Sequence, residues 1–235
     1  MINVGISRMA VLRAALASPI GRLGTLALAI PVYIYLPDLL FRGSGLLVLG
    51  AVVLLHARFV DGTIEPVGFT RPAVLGRSLR RGFVAALALY ALMKFLVNPV
   101  LHHLTHQAAD LSRLDALRGN VPAVLQFLLE VWTTAAVGEE VLFRGFAIRQ
   151  VTAALGDSVP ARALAVIVSS VLFGLAHAYQ GLTGVLSTGL TGMLLALLFL
   201  SGRRSLWTNI FAHGFVDTVS ILVIFASLDL RLTRL

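Results

Sequence analysis

Stretches of about 20 mostly apolar residues recur along almost the whole chain, and this pattern constrains the fold more than any other feature. Seven such stretches can be drawn, near residues 23–41, 44–60, 82–101, 121–155, 161–178, 182–201 and 206–228. Charged residues make up 13% of the chain, whereas a soluble domain usually carries about 25%. The sequence therefore predicts an all-α, polytopic transmembrane helix bundle of about seven spans, with no separate soluble domain.

The arginines lie mainly between the apolar stretches, which bears on topology. A net charge of +8 would suit nucleic-acid binding, but anchoring by the positive-inside rule explains this placement better, and we predict no nucleic-acid partner. With a cytoplasmic N-terminus, thirteen arginines fall on the cytoplasmic side and five on the other. The sequence thus favours an N-in, C-out protein, and one missed span would invert its C-terminal half. Composition suggests a bacterial cell membrane, and the N-terminus lacks a clear signal-peptide cleavage site.

Two adjacent glutamates and an arginine lie inside an apolar stretch, in the segment EEVLFR at residues 139–144. Ionisable groups at membrane depth are rare and usually mark a functional site that faces the bundle interior. On a helix, Glu140 and Arg144 share a face and can pair, whereas Glu139 lies about 100° further around and stays free. A free carboxylate in apolar surroundings suits a general base. The alternative is a charge cluster at a helix end.

A histidine ends the apolar segment FGLAH, four residues after Phe173. Taken alone, His177 is more often an interfacial residue. A turn is predicted around Gly156 and Pro160, however, and both Glu139 and His177 lie 19 residues from its centre at position 158. In an antiparallel helical hairpin the two side chains therefore lie at one depth and can meet.

The last apolar stretch carries a polar stripe, because Asn209, His213 and Asp217 are spaced by four residues. An aspartate four residues from a histidine can share a metal ion with it or hold its ring in one tautomer. The alternative is a polar pair that packs between helices. His213 does not fit the common depth, being about ten residues past the preceding turn. Either the 156–160 turn protrudes beyond the membrane, or the predicted orientation is wrong.

The segments EEVLFR, FGLAH and HGFVD (213–217) resemble, in this order, the EExxxR, FxxxH and HxxxN/D motifs of the CPBP family. This family contains CAAX prenyl endopeptidases and bacteriocin-processing intramembrane proteases, and it is also called the abortive-infection family. The resemblance covers about residues 121–220 and implies a proteolytic core of four helices around a water-filled cavity. We therefore divide one integrated membrane domain into N-terminal spans with a basic loop (1–120) and a catalytic helical core (121–235).

The resemblance also implies roles for the site residues. Glu139 and His177 would activate a water for attack on a peptide carbonyl, and His213 and Asp217 would bind a metal or stabilise the oxyanion. An ionised aspartate only accepts hydrogen bonds, so Asp217 favours a metal ligand or a histidine orienter over an oxyanion donor. The remaining predicted site residues are Glu140 held by Arg144, with Phe173 and Asn209 in support.

A catalytic metal is compatible with this residue set but is not required by it. His177, His213 and a carboxylate such as Asp217, together with water, would satisfy a catalytic zinc site. A purely glutamate-dependent mechanism is equally compatible. Cysteine takes no part, since the chain has none.

The sequence predicts an intramembrane endopeptidase that cleaves a membrane-anchored protein or peptide, either with or without a metal ion. A non-catalytic membrane immunity or scaffold protein is one alternative. A proton-coupled transporter is another, although such proteins more often show internal repeats, and none is visible in this sequence.

Overall fold

The computed structural model describes residues 7–40, 44–70, 75–202 and 204–226, and every regular element within these ranges is helical. The all-α prediction is confirmed. The described chain forms eight main helices: α1 (Arg8–Ala17), α2 (Pro19–Leu40), α3 (Ser44–Val60), α4 (Leu75–Thr105), α5 (Val121–Leu155), α6 (Val159–Ala176), α7 (Gly181–Ser201) and α8 (Leu206–Phe225). Short 3₁₀ turns occupy Glu65–Val67, Ser112–Leu117 and Ala178–Gln180.

Five of these helices, α4 to α8, are long and apolar enough to cross a membrane. A sixth span results if α1 and the following Pro19–Tyr33 segment, which meet at 79°, count as one. Helix α3 is apolar but has only 17 residues, hence a length of about 26 Å against a hydrocarbon core of roughly 30 Å. The polytopic bundle is therefore confirmed, with five or six spans in the described residues where the sequence predicts seven. The end of the last predicted span, residues 227–228, lies outside the described residues.

The outer surface of this bundle is apolar. Large side chains such as Leu28, Leu55 and Phe95 are about 70% exposed, at 71%, 68% and 71%. Exposed apolar surface on this scale marks contact with another apolar phase, which for a bundle of spanning helices is lipid. The protein is an integral membrane protein.

Helix α5 carries the EEVLFR segment in an unusual backbone. Residues Val131–Ala147 form a π-helix of 17 residues between the α-helical stretches Val121–Glu130 and Ile148–Leu155. In a π-helix each amide bonds to the carbonyl five residues back, and such segments are frequent at functional sites. The α-helical spacing predicted for this segment is wrong in detail, although Glu140 and Arg144 still share a face.

Helices α5 and α6 form the predicted antiparallel hairpin. The hydroxyl of Ser169 donates to the carbonyl of Phe143 over 2.7 Å, and the rings of Phe143 and Phe173 lie 5.1 Å apart, edge to face. This register brings Glu139 level with the end of α6, where His177 follows. Glu139 and His177 therefore lie at one depth of the hairpin, as predicted.

The depth of His213 has a simple structural reason. Its Nδ1 lies 2.8 Å from Oε1 of Glu140, so the two residues are level. Helix α5 continues for about four turns from Glu140 to Leu155, whereas α8 reaches His213 about two turns after its start at Leu206. Helix α5 therefore extends past the start of α8, which lets Glu140 and His213 lie level although they are unequally far from their turns.

Close packing of α6 against α7 depends on glycine. A Cβ at Gly174 would lie 2.6 Å from the carbonyl oxygen of Val185, and one at Gly192 would lie 2.9 Å from the ring of Phe173. Both distances are shorter than real Cβ contacts, so only glycine lets the helices approach this closely. Phe173 fills the space that Gly192 leaves.

The N-terminal helices are joined to α5 by a buried polar cluster that the sequence analysis missed. Arg22 donates to Asp61 over 2.7 Å and to Gln150 over 3.1 Å, and Arg149 also donates to Asp61 over 3.1 Å. The amide nitrogen of Gln150 lies 3.1 Å from His56. No local pattern reveals the group, because its partners are up to 128 positions apart.

Candidate active site

Glu140 lies at the centre of the site, and its carboxylate is fully engaged. Its Oε1 lies 2.9 Å from Nη1 of Arg144 and accepts a hydrogen bond from Nδ1 of His213 over 2.8 Å. Its Oε2 accepts from Nδ2 of Asn209 over 3.1 Å. Glu140, Arg144 and Asn209 are wholly buried. The predicted Glu140–Arg144 pair is therefore present, and Asn209 contacts the same carboxylate directly.

Arg144 is held by groups on three helices. Its guanidinium carbon lies 4.3 Å from the centre of the Phe173 ring, a cation–π contact. Its Nη2 donates to the carbonyl of Gly192 over 3.4 Å. The contact of Nη1 with Glu140 is an ion pair without hydrogen-bond angles, since neither that nitrogen nor Nε has a hydrogen-bond partner among the described residues. Phe173, the first residue of the FGLAH segment, therefore packs its ring against the guanidinium of Arg144.

Glu139 differs from its neighbour because, among the described residues, only one of its oxygens has a hydrogen-bond donor. The hydroxyl of Tyr33 on α2 donates to Oε1 over 2.8 Å. Its Oε2 lies 3.7 Å from Nε2 of His213, beyond hydrogen-bond distance. Glu139 is 7% exposed. The prediction that Glu139 is unpaired with Arg144 agrees with these contacts, but Tyr33, one of two tyrosines in the first apolar stretch, was missed.

His177 is the residue at which α6 ends, and its ring orientation is fixed. Its Nδ1 lies 2.9 Å from the carbonyl oxygen of Phe173. A carbonyl only accepts, so the proton sits on Nδ1 and Nε2 of the neutral ring is left as an acceptor. No hydrogen bond or ion pair between described residues joins His177 to Glu139. The two side chains share a depth, as predicted, without the direct contact.

His213 lies between three carboxylates. Besides the hydrogen bond from Nδ1 to Glu140, its Nε2 lies 3.5 Å from Oδ2 of Asp217 and 3.7 Å from Oε2 of Glu139. His213 is buried, whereas the side chain of Asp217 is 31% exposed. Asp217 therefore faces the histidine from the more open side of the site.

The arrangement offers no complete ligand set for a metal. Among the described residues, no group of three or more His, Asp or Glu side chains could hold one metal ion. Of the predicted ligands, His213 directs Nδ1 to Glu140, and His177 directs Nδ1 to a backbone carbonyl. Zinc binding by His177, His213 and Asp217, one of the two mechanisms compatible with the sequence, is a question for experiment.

The connection between α4 and α5 covers the His177 side of the site. The guanidinium of Arg113 lies 4.3 Å from the ring centre of Tyr179, whose ring is 5.9 Å from that of His177. The amide of Asp110 donates to the carbonyl of Gln180 over 2.9 Å. Residues of this connection thus line the approach to His177.

The comparison with known families decides where this site belongs. Residues 120–219 match the family described as Type II CAAX prenyl endopeptidase Rce1-like, and the match includes all three motif segments. This region is similar to the CPBP family of intramembrane proteases. The CPBP region covers less than half of the chain's 235 residues. No curated protein and no solved structure matches the chain.

The match indicates an intramembrane protease in the general sense. The EEVLFR segment of the matched region lies on α5, the FGLAH segment ends α6 and the HGFVD segment lies on α8. Tyr33 lies on α2, outside the matched residues, and nevertheless contacts Glu139. The N-terminal helices therefore complete a site whose motifs are all in the C-terminal half.

Proposed function

We propose that the protein cleaves a peptide bond of a membrane-anchored substrate with a water molecule that Glu139 activates. One observation carries the proposal: of two adjacent buried glutamates, Glu140 has a partner at both carboxylate oxygens, whereas Oε2 of Glu139 accepts no hydrogen bond from a described residue. A general base needs a lone pair that no other donor occupies, and Oε2 of Glu139 has one.

The first step is proton transfer from water to Glu139 as the water oxygen attacks the peptide carbonyl. Tyr33 holds Oε1, which fixes the plane of the carboxylate and directs Oε2 to the side on which His213 lies. His177 presents Nε2 as an acceptor, because its Nδ1 donates to the Phe173 carbonyl. A water bonded to both Glu139 and His177 would be oriented for attack.

The second requirement is stabilisation of the negative charge on the carbonyl oxygen. As an imidazolium, His213 would donate Nδ1–H to Glu140 and Nε2–H to the developing oxyanion. Asp217 faces the same ring nitrogen at 3.5 Å and would favour that charged form. Glu139 then returns its proton to the leaving amine as the peptide bond breaks.

The proposed substrate is a peptide with a prenylated cysteine near its C-terminus. The family description names CAAX prenyl endopeptidases. The apolar outer surface fits a substrate that reaches the site from the lipid phase, since a prenyl group would hold the peptide in the membrane.

The test is cleavage of a prenylated CAAX peptide by purified protein in detergent or liposomes, with products identified by mass spectrometry. We expect cleavage by the wild type and none above background by Glu139→Gln, which keeps the side-chain shape. Glu130→Gln, on the same helix and away from the cluster, is the matched control and should cleave normally. A folded wild type that cleaves neither prenylated nor other membrane-anchored peptides would favour the non-catalytic alternative.

A further inference from the structure

A basic cleft lies where α1 meets the end of α3, away from the candidate active site. It has a volume of about 380 Å³, and we call it the basic cleft, lined by Met9, Ala10, Arg13, Arg58, Phe59 and Gly62. Two of these residues are cationic, and none is acidic. Its charge is therefore complementary to an anion, and its apolar side chains suit a hydrocarbon chain.

Both arginines are oriented by backbone carbonyls. Arg13 donates from Nε to the carbonyl of Val60 over 3.2 Å, and Arg58 donates from Nη1 to the carbonyl of Gly62 over 2.6 Å. A guanidinium has five N–H donors, so each keeps several that no described protein group accepts. Such oriented, unused donors are suited to the oxygens of a phosphate.

The floor of the basic cleft is a fixed turn. Gly62 ends the α3 region with a φ of +79°, which glycine adopts without strain. The adjacent Asp61 accepts hydrogen bonds from Arg22 over 2.7 Å and from Arg149 over 3.1 Å. The acid nearest to the cleft is therefore already neutralised, and it ties the turn to α2 and α5.

Helix α1 places the basic cleft at a membrane surface. It meets the next helix at 79°, and no residue of α1 is buried. Its apolar side chains Met9, Val11 and Leu12 are 59%, 56% and 49% exposed. A basic helix with exposed apolar side chains, nearly perpendicular to a spanning helix, lies in the headgroup region of the bilayer.

We propose that the basic cleft binds the headgroup phosphate of an anionic phospholipid, with Arg13 and Arg58 as its ligands. The acyl chains would lie against Met9 and Phe59. Anionic lipids are enriched at the cytoplasmic surface, which is also the side to which the positive-inside rule assigns this end of the chain. The proposal does not depend on the proteolytic activity.

The test uses the full-length protein in a nonionic detergent, titrated with phosphatidylglycerol and followed by native mass spectrometry. Each arginine near an anionic surface contributes about a five-fold affinity. We therefore expect Arg13→Ala/Arg58→Ala to weaken phosphatidylglycerol binding by about 25-fold. Arg77→Ala/Arg81→Ala is the matched control, since it removes the same charge from exposed positions outside the cleft. That control should bind like the wild type.

Four further arms decide the outcome. Arg13→Lys/Arg58→Lys keeps the charge but loses the oriented guanidinium donors, so it should recover only part of the binding. Arg58→Ala alone should weaken binding about five-fold, and it serves as the test if the double alanine variant does not fold. Phosphatidylcholine and inorganic phosphate should both bind more weakly than phosphatidylglycerol. Equal losses in the cleft and control variants would overturn the proposal, because the lipid would then bind a diffuse basic surface. Inorganic phosphate binding as tightly as the lipid would also overturn it.

Discussion

The hydroxyl of Tyr33 donates a hydrogen bond to Oε1 of Glu139 over 2.8 Å, joining two residues 106 positions apart. The Tyr33 ring also packs edge-on against Phe143, at 5.3 Å between ring centres. The contact couples α2, which lies outside the matched residues, to the carboxylate that we propose as the general base. A helix outside the motif region therefore has a part in positioning the reactive group.

Tyr33→Phe should lower kcat while leaving the fold intact. The variant keeps the ring contact with Phe143 and removes only the donor to Glu139. A hydrogen bond to a charged group contributes about 1.5–3 kcal/mol, so we expect kcat to fall by about 10-fold or more, with little change in KM. The measurement is steady-state cleavage of a prenylated peptide together with a melting curve. Tyr33→Leu, which also loses the ring contact, is the comparison for stability, and an unchanged kcat in Tyr33→Phe would exclude a positioning role.

Glu140→Ala should destabilise the protein, whereas Glu139→Ala should leave it folded and inactive. Without Glu140, the wholly buried Arg144 loses its counter-charge, and His213 and Asn209 lose an acceptor. Breaking a buried pair by removing one partner costs about 3–5 kcal/mol. Expression level and thermal unfolding in detergent measure the difference. Equal melting temperatures of these two adjacent variants would contradict the anchoring role of Glu140.

The relations that the sequence predicts correctly are local or are fixed by a single turn. The Glu140–Arg144 pair follows from helical spacing, and the common depth of Glu139 and His177 follows from the turn near residue 158. Both appear in the structure. Neither needs information about how distant helices pack.

The relations that the sequence misses depend on tertiary packing. Tyr33 meets Glu139, and Arg22 meets Gln150, only because α2 packs against α5, and nothing in the spacing of these residues reveals it. The π-helical backbone of Val131–Ala147 also has no periodic signal of its own. Helix α1 is not predicted from the sequence, because its ten residues are too few to form an apolar stretch that crosses a membrane.

Asp61→Ala should destabilise the attachment of the N-terminal helices to α5. The side chain of Asp61 is 9% exposed and accepts from Arg22, whose side chain is 8% exposed. Loss of this acceptor leaves a buried cation, at a cost of about 3 kcal/mol. Asp115→Ala is the matched control, since its pair with Arg118 is 61% and 32% exposed and such pairs contribute about 0–1 kcal/mol. Thermal unfolding of both variants is the measurement, and a loss no larger for Asp61→Ala than for Asp115→Ala would contradict a structural role for the cluster.

Chelation should leave cleavage by the wild type intact. The described residues contain no group of three or more His, Asp or Glu side chains that could hold a metal ion, and Asp217 faces Nε2 of His213 at 3.5 Å. In this arrangement Asp217 orients the His213 ring and stabilises its protonated form. A neutral amide stabilises the imidazolium less, so Asp217→Asn should reduce kcat by about 10-fold. The loss should be the same before and after chelation.

The measurement is the activity of the wild type and of Asp217→Asn after exhaustive treatment with a chelator that enters the membrane, with metal content determined on the same samples. Inactivation of the wild type that zinc reverses, together with one bound zinc per chain that Asp217→Asn loses, would instead establish His177, His213 and Asp217 as metal ligands.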